Sequence, residues 1–594
     1  MKIMHRLTSL TLAACVLVLG ACASSQEVAT TNTVPGAAPG PDPRVGLRAG
    51  LYDAAEATWN MRVLSRTQPP DQFRRSTNSD LAFSGNYAIQ GNYNGYAFWD
   101  ISNPSAPSLA AAFVCPASQS DVSVYRNLLF VSGEDYGARI DCGTTPVRDT
   151  VSADRFRGLR IFDISDIRNP RRVATVQTCR GSHTHTAFVH PSDRENVYVY
   201  ISGSAPVRSP NELANCINAP PERDPNSALF RIEVIKIPLN NPAAASIVSS
   251  PRIFQDLVAP PEHGEAPEDI AASSRMAAQA RERGMYTARI EGVERVLPPR
   301  MISPMLDSIM KARGGTGTPT AADSAALRAS IQGIIDARIA AMNANRRGPN
   351  QCHDITVYPE AGYAGGACEG YGLLLDIRDP ANPVRIDAVA DSNFSYWHSA
   401  TFNNDATKIL FSDEWGGGGG PKCRATDKKE WGANALFTID QGRKMRFQSY
   451  YKLPAAQTSF ENCVAHNGSL IPIPGRDVMV QAWYQGGVSV FDFTNPDRPF
   501  EIAYFDRGPM SDKLVLGGYW SAYWHDGHIY GSEIGRGLDV FALTPSEFLT
   551  ANEIEAAKLA KMDVSNPQLQ QRFTWPAAFV VARAYVDGLA REDA

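Results

Sequence analysis

Apolar residues recur along this chain at two different periods. Over most of its length they form short runs bounded by Asn-Pro, Gly and Asp turns, the pattern of strands. Five segments share one form: GYAFWDISNPSAPSLAAAF, GLRIFDISDIRNPRRVATV, LFRIEVIKIPLNNPAAASIV, GLLLDIRDPANPVRIDAV and GVSVFDFTNPDRPFEIAYF. Each is an apolar strand, in most copies an acidic residue, a Pro-containing turn and a second strand. Two shorter strand-like runs come before, as in SDLAFSGNYAIQG, SDVSVYRNLLFVSG and HSATFNNDATKILFSDE. One repeat is therefore four short antiparallel strands, a sheet that cannot bury both faces alone and must stack with copies of itself around an axis.

Seven such units begin near Asp80, Asp121, His185, His353, His398, His466 and Trp520. The seventh lacks a fourth strand, and WNMRVLSRTQ, Trp59 to Gln68, alternates apolar and polar residues before the first unit. Supplied from there, the missing strand closes the ring and protects its edges. The fifth unit departs from the form, because ALFTIDQGRKMRF has no Asn-Pro turn. The expected fold is all-β, a seven-bladed β-propeller of four-stranded antiparallel blades over residues 58–254 and 349–545.

The second period is helical. Residues 255–348 contain EDIAASSRMAAQARERG and ADSAALRASIQGIIDARIAAMNANR, Ala-rich and separated by a Pro/Gly/Thr linker. This insertion falls between the last strand of one blade and the first of the next, so it emerges on the face where first strands begin. It is either a lid over that face or a packing element. Residues 546–594 also turn helical, at TPSEFLTANEIEAAKLAK.

The first 22 residues read as an export signal: MKIMHR is basic, LTSLTLAACVLVLGA is apolar, and Leu19-Gly20-Ala21-Cys22 matches a lipoprotein cleavage box. Cys22 is the expected lipidation site, with an ordinary secretory signal as the alternative. Residues 23–57, rich in Ser, Thr, Pro and Gly, follow as a tether and entry segment. The expected location is the bacterial cell envelope, outer membrane or surface, with the membrane engaged through that lipid only. Export makes disulfides the natural reading of the remaining cysteines, which show no C-x-x-C metal spacing. In the propeller topology Cys115, Cys179, Cys352 and Cys463 lie at first strands. Cys142, Cys216, Cys368 and Cys423 lie in loops on the same face, so the simplest pairs are local: 115–142, 179–216, 352–368 and 423–463.

The signatures GLRIFDISDIRNP, GLLLDIRDPANP and GVSVFDFTNPDRP resemble LVIVD repeats of bacterial exported propeller proteins. The resemblance covers roughly residues 58 to 545 apart from the insertion. It implies the fold and implies no activity, since propellers host many functions.

Candidate chemistry follows from the repeat alignment. His185, His353, His398 and His466 are aligned at the start of the first strand in four blades, out of 10 His in the chain. Ser79-Asp80, Ser120-Asp121 and Trp520 take that place in the others. First strands are innermost, so these residues meet at one mouth of the channel, joined by Glu134, Glu414 and Glu533 from the ends of second strands. Imidazoles with carboxylates suit a Zn, Cu or Fe ion. The competing reading is that each His bonds a neighbouring blade's backbone. Asp354, Trp397, Trp415, Trp483, Tyr484 and Trp520 border the same mouth and, with Asp80, Asp121 and Glu134, are candidate ligand contacts. Asp100, Asp163, Asp376 and Asp492 are expected to cap the turns that follow them. His525, in WHDGH, is expected to face solvent.

A net charge of −5 and no basic block argue against nucleic acid as a partner. The glycine run GGGGGPKC lacks a phosphate-loop ending and reads as a loop. Two functions stand: a binding module for an envelope protein, a glycan or a small molecule, or a metal-dependent oxidoreductase or hydrolase.

Overall fold

The computed structural model describes residues 40–592 apart from 230 and 345. The signal segment and Cys22 lie outside the described residues. Strand pairing gives four sheets of four strands, one of five and one of nine, beside a small two-stranded hairpin. The nine-stranded sheet is two four-stranded meanders, joined where Asn467 and Gly468 run parallel to Ser521 and Ala522, with Glu56–Trp59 added at one edge. The chain thus contains seven four-stranded antiparallel meanders, arranged as a β-propeller.

Their first strands are Asn78–Ser84, Val122–Tyr125, Thr184–His190, Cys352–Tyr358, Trp397–Phe402, Asn467–Ile471 and Tyr519–His525. Each touches the next, and the last touches the first, so they line a closed central channel. Second and third strands such as Leu128–Gly133 and Val488–Asp492 are buried throughout, because a neighbouring blade covers each face. That is why they read as continuous apolar runs rather than alternating ones. Fourth strands such as Ser108–Val114 stay partly exposed. Between blades, Thr184 Oγ1 donates to the His353 carbonyl and Thr356 Oγ1 to the Ala400 carbonyl, both at 2.6 Å. Asp100, Asp163, Asp376 and Asp492 accept from the backbone N–H two residues on, at 2.7–3.1 Å, as turn caps.

The ring closes with the strand foreseen from sequence. Met61–Thr67 pairs antiparallel with Gly537–Leu543 as the fourth strand of the last meander. Sequence reasoning missed a second closure. The chain turns at Asn60, φ 55°, and Glu56–Trp59 pairs with Phe500–Arg507, the outer strand of the preceding meander. Further upstream, Arg44 makes a buried bidentate pair with Glu501 at 2.9 and 2.7 Å.

The four disulfides are Cys115–Cys142, Cys179–Cys216, Cys352–Cys368 and Cys423–Cys463. All pin loops at the end of the channel where first strands begin. The insertion holds three helices, α1 (Pro267–Glu282), α2 (Pro299–Ala312) and α3 (Ala321–Ala344), with a hairpin between α1 and α2. α2 departs from the expected linker: prolines at 298 and 299 fit a helix start, where no N–H partner is needed. These elements share a small core of Ala288, Leu297, Ile302, Met305, Leu327, Ile331 and Ile335.

The tail is less helical at its start than its apolar pattern suggests. α4 is short, Ala551–Ala557, capped by Thr550 and Glu553, and α5 spans Phe579–Glu592. Between them the chain crosses the opposite end of the channel. Ser565 pairs with Phe83, Asn566 bonds both backbone groups of Val124, and Val357 bonds Gln568 and Gln570. Phe573 then meets Asn404, and Trp575 Nε1 donates to the Pro472 carbonyl at 3.1 Å. Among the described residues no helix is long and apolar enough to cross a membrane.

Deleting residues up to 68 strips two strands and leaves the Phe500–Arg507 and Gly537–Leu543 edges unpaired. The shortened protein is expected to lose its cooperative thermal transition and to self-associate through those edges. Circular dichroism and size-exclusion chromatography check this; a monomer with unchanged melting would show the closure to be dispensable.

Candidate metal centre

The side chains at the channel mouth are aimed by an irregularity that recurs. The pairing of first with second strand shifts register between Asn78 and Leu81, Cys352 and Ile355, Trp397 and Ala400, and Tyr519 and Ser521. A regular strand sends successive side chains to opposite faces. An extra residue at this place re-aims them, which is the usual effect of a β-bulge. His353-Asp354 and His398-Ser399 fall inside the shift, so both residues of each pair approach the axis.

The structure assigns a different histidine to the third blade. Thr186 and Thr356 hold equivalent places, each donating to the carbonyl of the next blade, Ile355 and Ala400. Counting back three residues from each gives His183 and His353. His183, not His185, is therefore the partner of His353, His398 and His466. His185 lies between blades, with Nδ1 2.7 Å from Ser132 Oγ, and burial lowers its pKa to about 3. His185 stands six residues before Pro191, as His353 does before Pro359, but this match misaligns the third blade, whose second strand runs from Asp193 to Ser202, an arm of 10 residues. The usable signal was His followed three residues later by Thr or Ser: His183/Thr186, His353/Thr356, His398/Thr401 and His466/Ser469.

These four imidazoles form an arc. Ring centroids are 4.4 Å apart for His183–His353, 3.9 Å for His353–His398 and 4.1 Å for His398–His466. Three of them have Nδ1 engaged: with Glu134 for His183, with Asp354 Oδ1 at 3.0 Å for His353, and with the Trp520 carbonyl for His466. A carbonyl or ionised carboxylate only accepts, so each Nδ1 carries a proton, and Nε2 keeps its lone pair wherever the ring is neutral. Gln119 Nε2 donates to His183 Nε2 at 2.9 Å, in agreement. His183 Nε2 and His353 Nε2 nevertheless face each other at 2.8 Å. Two lone pairs at that distance repel unless a proton or a cation lies between them.

The other end of the arc is short of partners too. Neither nitrogen of His398 nor Nε2 of His466 has a hydrogen-bond partner, although both residues are buried. Glu414 lies 3.9 Å from His398 Nε2 and 3.6 Å from His466 Nε2, and is itself held by the Tyr484 hydroxyl at 2.6 Å. His353, Asp354 and His398 offer ligand atoms all within 4.8 Å of one another, as do His398, Glu414 and His466. The two trios share His398, and in each another imidazole, His353 or His466, has its far nitrogen oriented by a carboxylate or a carbonyl, an arrangement that a transition metal uses.

Charge follows burial. Desolvation, then the neighbouring imidazoles, push His398 well below its ordinary pKa; burial does the same to His353 and takes His466 to about 3. These rings are neutral, the form that binds metal. His183 is the exception: burial opposes its charge, but Glu134 outweighs it and raises the pKa. Burial lifts Glu414 to about 7 and Asp354 to about 6.

Other candidates sit elsewhere. Glu533 is bound to Arg536 at 3.1 Å and to the Gly518 and Gly535 N–H groups, a buried pair apart from the arc. Asp80 accepts from Asn467 at 3.0 Å, and Asp121 has one oxygen without a partner; both are buried in the channel wall. Trp397 packs on Phe394 and Phe411, and Trp483 on Tyr451, so both are core residues rather than ligand contacts. Trp415, Tyr484 and Trp520 do line the mouth, in a cluster with Trp431, Val464 and Ile534 that sequence alone did not assemble. Ala266 of the insertion closes over this cluster, and His263 lies 4.3 Å from Trp415. Glu268 and Asp269, in the first turn of α1, hold it there through Lys422, Arg424 and Ser459. His525 is buried against Phe83 at 4.5 Å, not solvated, because the tail covers its turn.

The glycine run has a specific task at Gly418. Its φ is +72°, and a Cβ there would lie 2.4 Å from the Tyr484 hydroxyl. Only glycine lets Tyr484 reach Glu414.

The family model for the LVIVD repeat matches residues 77–114, which coincide with the first blade. The first blade thus matches an LVIVD repeat, and the chain as a whole is a β-propeller. No curated protein matches its sequence. Among solved structures, a periplasmic gluconolactonase of Pseudomonas aeruginosa is 10% identical, covering 78% of this chain and 92% of its own, with a TM-score of 0.41. A putative 6-phosphogluconolactonase of Bacteroides uniformis is also 10% identical, covering 77% and 89%, with a TM-score of 0.36. A protein from Lactobacillus plantarum is 9% identical, covering 73% and 82%, at 0.37.

Glu414 gives a pH test on the metal-free protein. Burial raises its folded pKa to about 7 from the ordinary 4.5, so the stability that goes with its protonated form is fully present below 4.5 and lost as pH rises through 7. Glu414→Gln cannot ionise. Relative to wild type it is expected to gain stability between pH 4.5 and 7, by an amount on the order of 3 kcal/mol, and to gain nothing further above. Denaturant melts across that range check it; parallel curves would place the carboxylate in a wetter site.

Proposed function

We propose that this propeller is a metal-dependent enzyme of an extracytoplasmic compartment, with one transition-metal ion held at the channel mouth by His353, His398 and His466. The carrying observation is that His398, Glu414 and His466 bring ligand atoms within 4.8 Å of one another while Nε2 of both rings is buried without a partner, and His353 lies next in the arc, its ring centroid 3.9 Å from that of His398. An unpaired buried polar atom costs about 1–3 kcal/mol, so a purely structural role for these rings would burden the fold at several points. A bound Zn, Cu or Fe ion would supply Lewis-acid polarisation of a water or substrate oxygen.

The chain's own groups support the rest. Glu414, with its pKa near 7 and its orientation set by Tyr484, is suited to accept a proton from a water in the site. Glu134 and Asp354 keep His183 and His353 in the tautomer that presents Nε2. The aromatic cluster under Ala266 excludes bulk water, which strengthens electrostatics inside. Four disulfides agree with an oxidising compartment. Lipid attachment at Cys22 completes this reading as the means of holding the protein at the envelope.

A second reading, capture of an envelope partner, a glycan or a small molecule without metal, draws on the aromatic mouth of Trp415, Tyr484 and Trp520. Ala266 covers that cluster, which favours a small ligand over a glycan chain or a protein.

Metal analysis of the purified mature protein decides between the two. The expected result is near-stoichiometric metal, with affinity lowered on the order of 100-fold or more in a His398→Ala/His466→Ala variant of unchanged fold. A wild type that takes up no Zn, Cu or Fe would favour the capture reading.

A further inference from the structure

We propose that Gln568, in the C-terminal tail, is a positioning residue of the metal centre, so that the tail is a working part of the site rather than a trailing segment. This rests on the metal reading above. Gln568 comes from the far end of the channel and reaches inward: its Nε2 donates to Asp354 Oδ2 at 2.9 Å. The other oxygen of the same carboxylate, Oδ1, receives His353 Nδ1 at 3.0 Å, and His353 Nε2 faces His183 Nε2. One continuous line of hydrogen bonds thus runs from the tail to a ligand nitrogen. A carboxylate claimed at both oxygens has its plane fixed, and the ring it holds is fixed with it.

Two independent observations mark the contact as built. Gln568 has φ +56°, a left-handed conformation that residues with a Cβ seldom adopt. Such conformations persist where the surroundings over-determine them, and here Val357 bonds the chain on both sides: its N–H donates to the Gln568 carbonyl and its carbonyl accepts from the Gln570 N–H, each at 2.8 Å. The clamp turns the side chain of Gln568 into the channel. Behind the histidines lies a cavity of about 70 Å³, lined by Thr356, Ser399, Asn467, Tyr523 and Gln568 among others. The tail crosses this end of the channel, and Asp354, fully buried, is held by the Gln568 amide.

Bracing alone would also explain a tail that stitches blades together, and the variants separate the two. The Asn566 side chain bonds the backbone of Val124 and does not reach Asp354, so it serves as the bracing control. In the full mature protein, Gln568→Leu is expected to lower zinc affinity about 10- to 100-fold, measured by chelator competition. It should also shift the visible spectrum of the cobalt-substituted protein. Asn566→Ala is expected to lower the melting temperature at least as much, with zinc affinity within about twofold of wild type and an unchanged cobalt spectrum. If Gln568→Leu does not fold, Gln568→Ser carries the same comparison.

Wild-type affinity and spectrum in the Gln568 variant would overturn this inference and leave the metal centre standing. Affinity losses that merely track melting temperature in both variants would reduce the tail to a brace. A wild type that binds neither zinc nor cobalt would overturn the metal reading and this inference together.

Discussion

Pairing of Met61–Thr67 with Gly537–Leu543 turns a row of meanders into a ring, and the rest of the molecule depends on that ring. A single meander leaves both faces of its inner strands bare, and only neighbours on both sides can cover them. Closure supplies the last neighbour. It also creates an axis at which seven first strands are as near to one another as side chains allow. Every polar group placed at the start of those strands is then forced into company.

That crowding accounts for the electrostatics. Asp80, Asp121, Asp354 and Glu414 are fully buried around one channel and each is pushed above the usual carboxylate range, chiefly by desolvation. The histidines beside them are pushed the other way by the same cause, apart from His183, whose carboxylate partner wins. The result is a nearly neutral array of donors and acceptors, dense in lone pairs and poor in cations. A metal ion answers both deficits at once, which is why the geometry favours that reading over a plain binding mouth.

The two ends of the channel are treated differently. At the histidine end the disulfides stiffen the loops, and the insertion lays Ala266 over the aromatic cluster through ion pairs at the start of α1. At the other end the tail crosses five blades and sends one amide inward. Access and positioning are thereby assigned to opposite faces of the ring.

Much of the architecture was legible in the residues. The Asn-Pro turns, the continuous apolar inner strands and the alternating pattern of Trp59 to Gln68 act locally or through pairing, and local signals survive in a sequence. The cysteine pairs were legible for the same reason, since each joins neighbouring loops. The register of the third blade was not, because a one- or two-residue shift is set by bulges and by the length of a hairpin arm, and these concealed His183 behind His185. Trp397 and Trp483 illustrate the same limit: a tryptophan reads alike whether it faces a ligand or the next blade. Gln568 lay beyond any sequence argument, for it reaches Asp354 across 214 residues through the middle of a channel. Periodicity and turn chemistry alone determined the repeating four-stranded units and the closing strand Met61–Thr67, whereas the second closure through Glu56–Trp59 depended on pairing with a strand more than 440 residues away. Which side chains share the axis was decided only when the ring closed, because that depends on bulges, crossings and burial that no short stretch of chain contains.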